Sequence, residues 1–353
     1  MADILNKLDE TTATEKGMRK WTGDKKIVLS EDARDFLAWA KKHPNAARRM
    51  PVVDIRESIG ADAFDSITLD RMHKRLLKGY QEWTPTWPKI VSTTTSISDF
   101  RTRYAIMHGS FGRLPQVSEK GAYLEVEFSD DQITYTPAKY GSTFGYSFEA
   151  QTYDDLGLLE KKVQKLGAAA ARTLDYFVWY TLIDSNPTSY DGSTSFFDSA
   201  TWGNVESTAG LNYERLKHAY QLMLQQTDLD SNAAMFIPKY LVVHPAQALT
   251  ARELTMSPLD PDTANNTKNV LQGQLEVIVT PFLTSTNWYL VADPSQADTV
   301  EIGLWHGSAE PEFFYENPDS GHAFDFDEIR MKVRLCFGGV AIDPRAFVRG
   351  TTA

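Results

Sequence analysis

The order of apolar and polar positions divides the chain into a polar lead, a β-patterned stretch, one long helix and a mixed second half. Residues 1–30 are polar and read as a tail that orders only against a neighbour. Residues 31–49 place Phe36, Leu37, Trp39 and Ala40 on one helical face behind an N-cap at Ser30. Residues 70–80 form a second short helix candidate. Residues 81–103 break the pattern: Trp83, Pro85, Trp87, Pro88, Ile90 and Val91 lead into a Ser/Thr-rich run. Two prolines three apart exclude a helix there. The reading is an extended arm whose aromatic side chains bury against an external surface.

Between 104 and 150 the period is two. Leu124, Val126 and Phe128 alternate with Glu125 and Glu127, Ile133 and Tyr135 with Thr134 and Thr136, and Phe144, Tyr146 and Phe148 with Gly145 and Ser147. Turn chemistry at 118–121 and 129–131 makes this a long hairpin whose tip leaves the core. The period then switches to 3.6: Leu159, Val163, Leu166, Ala170, Leu174 and Phe177 follow an N-cap at Thr152 and the acidic pair Asp154 and Asp155. A helix over 155–183 would be about 43 Å long. Its slim Gly167-Ala168-Ala169-Ala170-Ala171 segment calls for a closely packed partner. Beyond it come a polar loop over 186–210 holding Phe196-Phe197-Asp198, a helix over 212–226, and a strand at 241–243 closed by His244-Pro245, with Pro245 opening the next helix. After a loop over 256–273, strands follow at 274–281, 287–292, 300–304 and 331–340.

Bulk numbers narrow the class. The composition, 42% apolar and 24% charged, supports a sizeable core. The 36 Lys and Arg against 47 Asp and Glu give a net charge of −11, which argues against a dedicated nucleic-acid binder, though not against lining a DNA-filled space. Residues 1–80 hold 16 basic and 13 acidic residues, a net of 16 − 13 = +3, so the remainder carries −11 − 3 = −14. The lone Cys336 cannot form an internal disulfide. No apolar run reaches the ~18 residues of a membrane span. The N-terminus lacks the pattern of a signal peptide, so synthesis in the cytoplasm is expected.

Chemistry-bearing patterns are sparse. None of the seven histidines sits in HExxH or in paired Cys/His spacing. His108-Gly109-Ser110-Phe111-Gly112 has the wrong spacing for a hydrolase elbow, and β pattern follows it. Asp130-Asp131, Asp154-Asp155 and Asp325/Asp327 read as a turn, a helix start and a solvated strand face. Trp83, Trp87, Phe100 and Tyr104 have the shape to stack bases, but without a basic groove burial against another subunit fits better. No catalytic residue, cofactor or metal ligand is expected, and the chain is not read as an enzyme.

The order of elements carries a resemblance. A tryptophan-bearing arm precedes a long hairpin with Glu119-Lys120-Gly121-Ala122-Tyr123 at its tip, then Lys139-Tyr140-Gly141-Ser142-Thr143-Phe144-Gly145-Tyr146, then a long helix with Leu166-Gly167-Ala168-Ala169-Ala170-Ala171-Arg172. Asn287-Trp288-Tyr289-Leu290-Val291-Ala292-Asp293-Pro294 and Met331-Lys332-Val333-Arg334-Leu335-Cys336-Phe337-Gly338-Gly339 close the chain. This order resembles tailed-phage major capsid proteins of the Johnson fold (Hong Kong 97 type), within them the Mu-type major head subunits. The resemblance covers residues 83–350. It implies an α+β subunit with an N-arm (83–104), an E-loop (105–148), a P-domain with its spine helix (149–211), an A-domain (212–320) and a P-domain return strand (321–353), behind an N-terminal extension (1–82).

As function it implies a structural protein of the virion that self-assembles, as hexamers and pentamers, into an icosahedral shell around double-stranded DNA. Portal, scaffold and decoration proteins are implied partners; DNA is contacted weakly and no membrane is involved. Trp83, Trp87, Ile90, Leu114, Val117, Lys120 and Tyr123 are the expected inter-subunit contacts. Some relatives cleave an N-terminal segment; this chain is expected to keep its own. One branch cross-links through a lysine, for which Lys120 and Lys139 are the candidates, with a solvated or paired lysine the simpler reading. The alternatives are an encapsulin-like nanocompartment shell and a cytoplasmic hydrolase.

Overall fold

The computed structural model describes residues 19–20, 61–108, 116–117, 119, 130–147, 156–206, 210–228, 232–260, 267–284, 286–316 and 328–351. The first half holds β1 (Arg19–Lys20), α1 (Ala61–Glu82), a 3-10 turn (Trp87–Lys89), β2 (Thr93–Ile97), β3 (Arg103–His108), β4 (Asp130–Tyr135), β5 (Ala138–Ser147) and α2 (Leu156–Tyr176). Helix α2 continues π-helically over Phe177–Asp184. The second half holds β6 (Val205–Glu206), α3 (Tyr213–Leu224), β7 (Pro238–Val243), α4 (Ala248–Met256), β8 (Glu276–Val279), β9 (Asn287–Ala292), β10 (Val300–Trp305), β11 (Glu312–Tyr315), β12 (Glu328–Ala341) and β13 (Phe347–Thr351). The chain divides into two compact units. One takes the described residues up to Thr84, Lys139–Arg172 and Glu310–Leu335; the other takes Pro85–Ala138, Thr173–Ala309 and Cys336–Ala353.

In the first unit two helices cover a sheet. Met72 and Leu76 of α1, Val163 of α2, Phe313 of β11, and Met331 and Val333 of β12 form one buried cluster, with Phe144, Leu166 and Tyr315 against it. Strand β11 pairs antiparallel with the first half of β12 and with β1, where Arg19 stands opposite Tyr315. The slim segment of the long helix meets its partner here. A side chain at Gly167 would run into the Leu76 carbonyl, and one at Gly79 into that of Gln164. The two helices therefore cross backbone to backbone at this pair of glycines, and α1 is the close neighbour that the alanine run called for.

In the second unit a five-stranded sheet has the order β6-β13-β9-β7-β8. Strands β7 and β9 are antiparallel, as are β13 and β9, while β8 joins β7 in parallel after the α4 crossover. Helix α3 starts at Asn212, whose side chain accepts from the Arg215 amide at 2.9 Å, a direct N-cap. Trp288, Tyr289 and Phe347 are fully buried, with the Phe196 ring 5.4 Å from Phe347 and the Phe197 ring 5.3 Å from Tyr289. The Phe-Phe pair inside a polar loop is thus a plug for the sheet. A Cβ at Gly350 would collide with the Trp288 indole. The second half of β12 pairs with β10, which carries β2 in parallel on its other side. Strands β3 and β4 form a separate antiparallel ladder.

Several expectations change. Helix α1 runs over 22 residues rather than the expected short piece. Asp130 and Asp131 open strand β4, opposite His108 and Met107, instead of forming a turn. Strands β2, β11 and β13 were not read from the sequence. The helix expected over 31–49, the N-cap at Thr152, Asp325, Asp327 and most of the hairpin tip lie outside the described residues.

Candidate assembly surfaces

The arm comes first, because its aromatic residues were expected to leave the subunit. Pro88 sits in the opening of the 3-10 turn at Trp87–Lys89, where its missing N–H costs nothing. The turn is clamped by a buried carboxylate. Asp175, near the end of α2, accepts from the Thr86 amide at 3.1 Å, the Thr86 hydroxyl at 3.2 Å and the Trp87 amide at 3.0 Å. The Trp179 indole donates to the Thr86 hydroxyl at 2.7 Å. Trp87 is consequently only 8% exposed, and Ile90 is fully buried with its carbonyl accepting from Thr299. The pocket expected on a neighbour is supplied by the subunit itself, which corrects the placement of both residues. The missing signal was Asp175, an acid one residue after Leu174 in the apolar row of a helix.

Of the other expected contacts, Trp83 is half-buried with the Arg172 guanidinium 5.6 Å over its ring. Val117 is half-buried in irregular chain. Leu114, Lys120 and Tyr123 lie outside the described residues. Lys139, the other cross-link candidate, is exposed and lines a groove of 310 Å³ with Tyr140, Ser142, Thr143, Lys332 and Arg334.

The base of the hairpin has two unlike faces. Its inner face, Ala105, Met107 and Tyr135, packs with Ile342, Val340 and Tyr190. The Tyr135 hydroxyl donates to Glu301 at 3.1 Å, and the Thr95 hydroxyl donates to the same oxygen at 2.9 Å. Burial and the Glu301 carboxylate push the Tyr135 hydroxyl well above the ordinary tyrosine pKa. Space for this ring comes from Gly303 and Gly338, where added Cβ atoms would lie 2.9 Å from the Tyr135 hydroxyl and 2.8 Å from the Pro137 Cα. The outer face leaves Tyr104 61% exposed and Ile106 exposed beside it, and the nearby exposed Phe100 stacks on Trp305 at 5.1 Å.

A second exposed aromatic group lies where α2 turns π-helical. Tyr176 and Tyr180 stack at 5.0 Å, and Phe282 meets Tyr176 edge-on at 5.8 Å. Both tyrosines are exposed. Beneath them the helix end is fixed by Asp184, which accepts from the Thr284 amide and hydroxyl at 3.1 and 2.6 Å, Asn287 at 2.9 Å and the Tyr289 hydroxyl at 2.5 Å. Burial and this carboxylate push the Tyr289 hydroxyl far up. Among the described residues no cluster of His, Cys, Asp and Glu is arranged to hold a metal ion, and no helix is long and apolar enough to cross a membrane.

This is the α+β capsid fold of the Hong Kong 97 type. A chain from Microbacterium phage Oxtober96 matches with a TM-score of 0.53 and 10% identity, over 77% of this chain and 92% of its own. The capsid structure of cyanophage P-SCSP1u matches with a TM-score of 0.52 and 11% identity, over 76% and 88%. The sequence profile of the family described as phage capsid protein matches residues 130–350, and the chain belongs to that family. It is a structural major capsid protein of the virion, in a family whose members build capsid shells. No curated protein matches it by sequence.

Proposed function

We propose that the protein assembles, through rings of six and five copies, into a closed icosahedral shell around double-stranded DNA, in the cytoplasm of the host. The observation that carries this reading is the outer face of the hairpin base. Phe100, Tyr104 and Ile106 stand exposed on a capsid-family subunit, and a soluble monomer has no use for such a surface. Heterologous contacts that close generate rings. The hairpin over 105–148, with its tip around 115–123, lies across an adjacent copy in this arrangement. Trp83, Leu114, Val117, Lys120 and Tyr123 are its proposed contacts. The net charge of −11 keeps the hold on packaged DNA weak and without sequence preference. Portal, scaffold and decoration proteins are candidate partners of such a shell.

Light scattering behind size exclusion, with negative-stain microscopy of the same fractions, tests the reading. Rings or shells at micromolar concentration are expected. A monomer or dimer under every condition of salt and crowding would refute it.

A further inference from the structure

Helix α4 carries apolar side chains on the wrong side. Its sheet-facing residues are Ala251, Leu254 and Thr255, all buried. Leu249, Arg252, Glu253 and Met256 share the opposite stripe at spacings of three, four and seven. Leu249 is 73% exposed and Met256 67% exposed. A surface helix of a free-standing protein is polar on that side.

The patch continues past the helix. Asn269 is buried and donates to the carbonyls of Leu254 at 2.7 Å and Ser257 at 2.9 Å, tying residues 267–272 to the end of α4. That tie holds the exposed Val270 beside the helix terminus, and Leu259, bridged to Lys268, is exposed as well. The hydrogen bonds that shape this corner among the described residues run through the Asn269, Ser257 and Gln272 side chains and the backbone. The four apolar side chains make none of them and are exposed.

We propose that the outer stripe of α4, with Leu259 and Val270, is the surface on which the next copy of this chain docks within a ring. The proposal rests on the self-assembly reading and names a contact surface for it. Charge favours a second copy as the occupant. Two subunits of net charge −11 repel, so their contact must be locally neutral. The stripe sets one Arg beside one Glu between its two apolar ends, and among the described residues neither Arg252 nor Glu253 is engaged in an ion pair. A rim of both signs around an apolar centre is the composition of a protein interface. A nucleic-acid partner would call for positive charge, which a single arginine next to a glutamate does not supply.

The test compares the full-length wild type with the double variant Leu249→Lys/Met256→Lys by sedimentation over a concentration series. The expected result is unchanged circular dichroism and unchanged subunit melting, with the concentration needed for assembly raised roughly tenfold or more. Assembly at the wild-type concentration overturns the proposal while leaving the self-assembly reading standing. A wild type that never assembles sinks both. A photo-crosslinking residue at position 256 supplies a second readout. Chain-to-chain products in assembled material are expected, and products confined to single chains in that material contradict the docking surface.

Discussion

The turn at Trp87–Lys89 and the hairpin base that begins at Arg103 are separated in the chain by strand β2, and they treat their large apolar side chains in opposite ways. At the turn, Trp87 and Ile90 are drawn inside by a carboxylate that ties the local backbone to α2. At the hairpin, Met107 and Tyr135 go inside while Tyr104 and Ile106 stay out on the other face of the same strands. Proline and aromatic content alone does not tell an arm that reaches a neighbour from a segment built into its own subunit. What decides is whether the subunit offers a polar anchor for the backbone that carries the aromatic ring. Asp175 is that anchor for Trp87, and among the described residues no comparable carboxylate holds the outer face of β3.

The sharpest way to break this comparison is Trp87→Ala. Removing a buried indole costs about 3–5 kcal/mol by lost transfer energy and the cavity left behind. Denaturant unfolding of the unassembled subunit should show that loss. A subunit of wild-type stability whose shells alone are weakened would return Trp87 to the neighbour's surface.

The inner face of the hairpin provides the next test. Tyr135→Phe removes a hydrogen bond to the Glu301 carboxylate, worth about 1.5 kcal/mol, while Thr95 still satisfies that oxygen. The effect should depend on pH with a fixed sign. The Tyr135 pKa is raised in the folded state, so its contribution is whole below the ordinary tyrosine value of 10.0 and declines as pH rises past it. Wild type should therefore lose its advantage over the variant in unfolding measurements above about pH 10. Tyr289 titrates upward too, but it is common to both proteins and cancels in the difference. An advantage that is constant from pH 7 to 11 would mean that the hydroxyl is not held as described.

How much of this was legible in the sequence follows from how local each signal is. The long helix was read over 155–183 and is helical over 156–184, because a 3.6 period and an alanine run are properties of neighbouring residues. The helix starting at Asn212 and the Pro245 turn were legible for the same reason. The π-helical segment was not: Phe177–Asp184 is apolar nearly all round, and its last carboxylate is satisfied by Thr284, Asn287 and Tyr289, about a hundred residues away. Strands β2 and β13 escaped notice because Thr-Thr-Thr-Ser-Ile and Phe-Val-Arg-Gly-Thr gain their identity from partners at β10 and β9. The Trp87 clamp failed to show for this reason as well, since Asp175 lies 88 residues downstream. Period-2 patterning marked the hairpin, but it does not say which face finds cover. The run Tyr104-Ala105-Ile106-Met107 is apolar on both sides.

That ambiguity sets the last and smallest effect on the subunit itself. Tyr104 and Ile106 project from the uncovered face of β3, so Tyr104→Thr with Ile106→Thr removes no internal contact of consequence. Threonine keeps the β-branched shape that a strand favours. Subunit stability should stay within about 0.5 kcal/mol of wild type, as for exposed positions without special contacts. Shell yield at fixed concentration should nonetheless fall, because each copy loses the same apolar surface at every contact in the assembly. Scattering intensity after mixing, followed beside the unfolding curve of the unassembled subunit, separates the two quantities. A double variant that unfolds early would show the outer face to be covered within the subunit, like the inner one. A double variant that folds and assembles normally would leave that face without a role in the shell. Only the combination of an unchanged subunit and a weakened shell preserves the contrast with Trp87, where the order of the two effects is reversed.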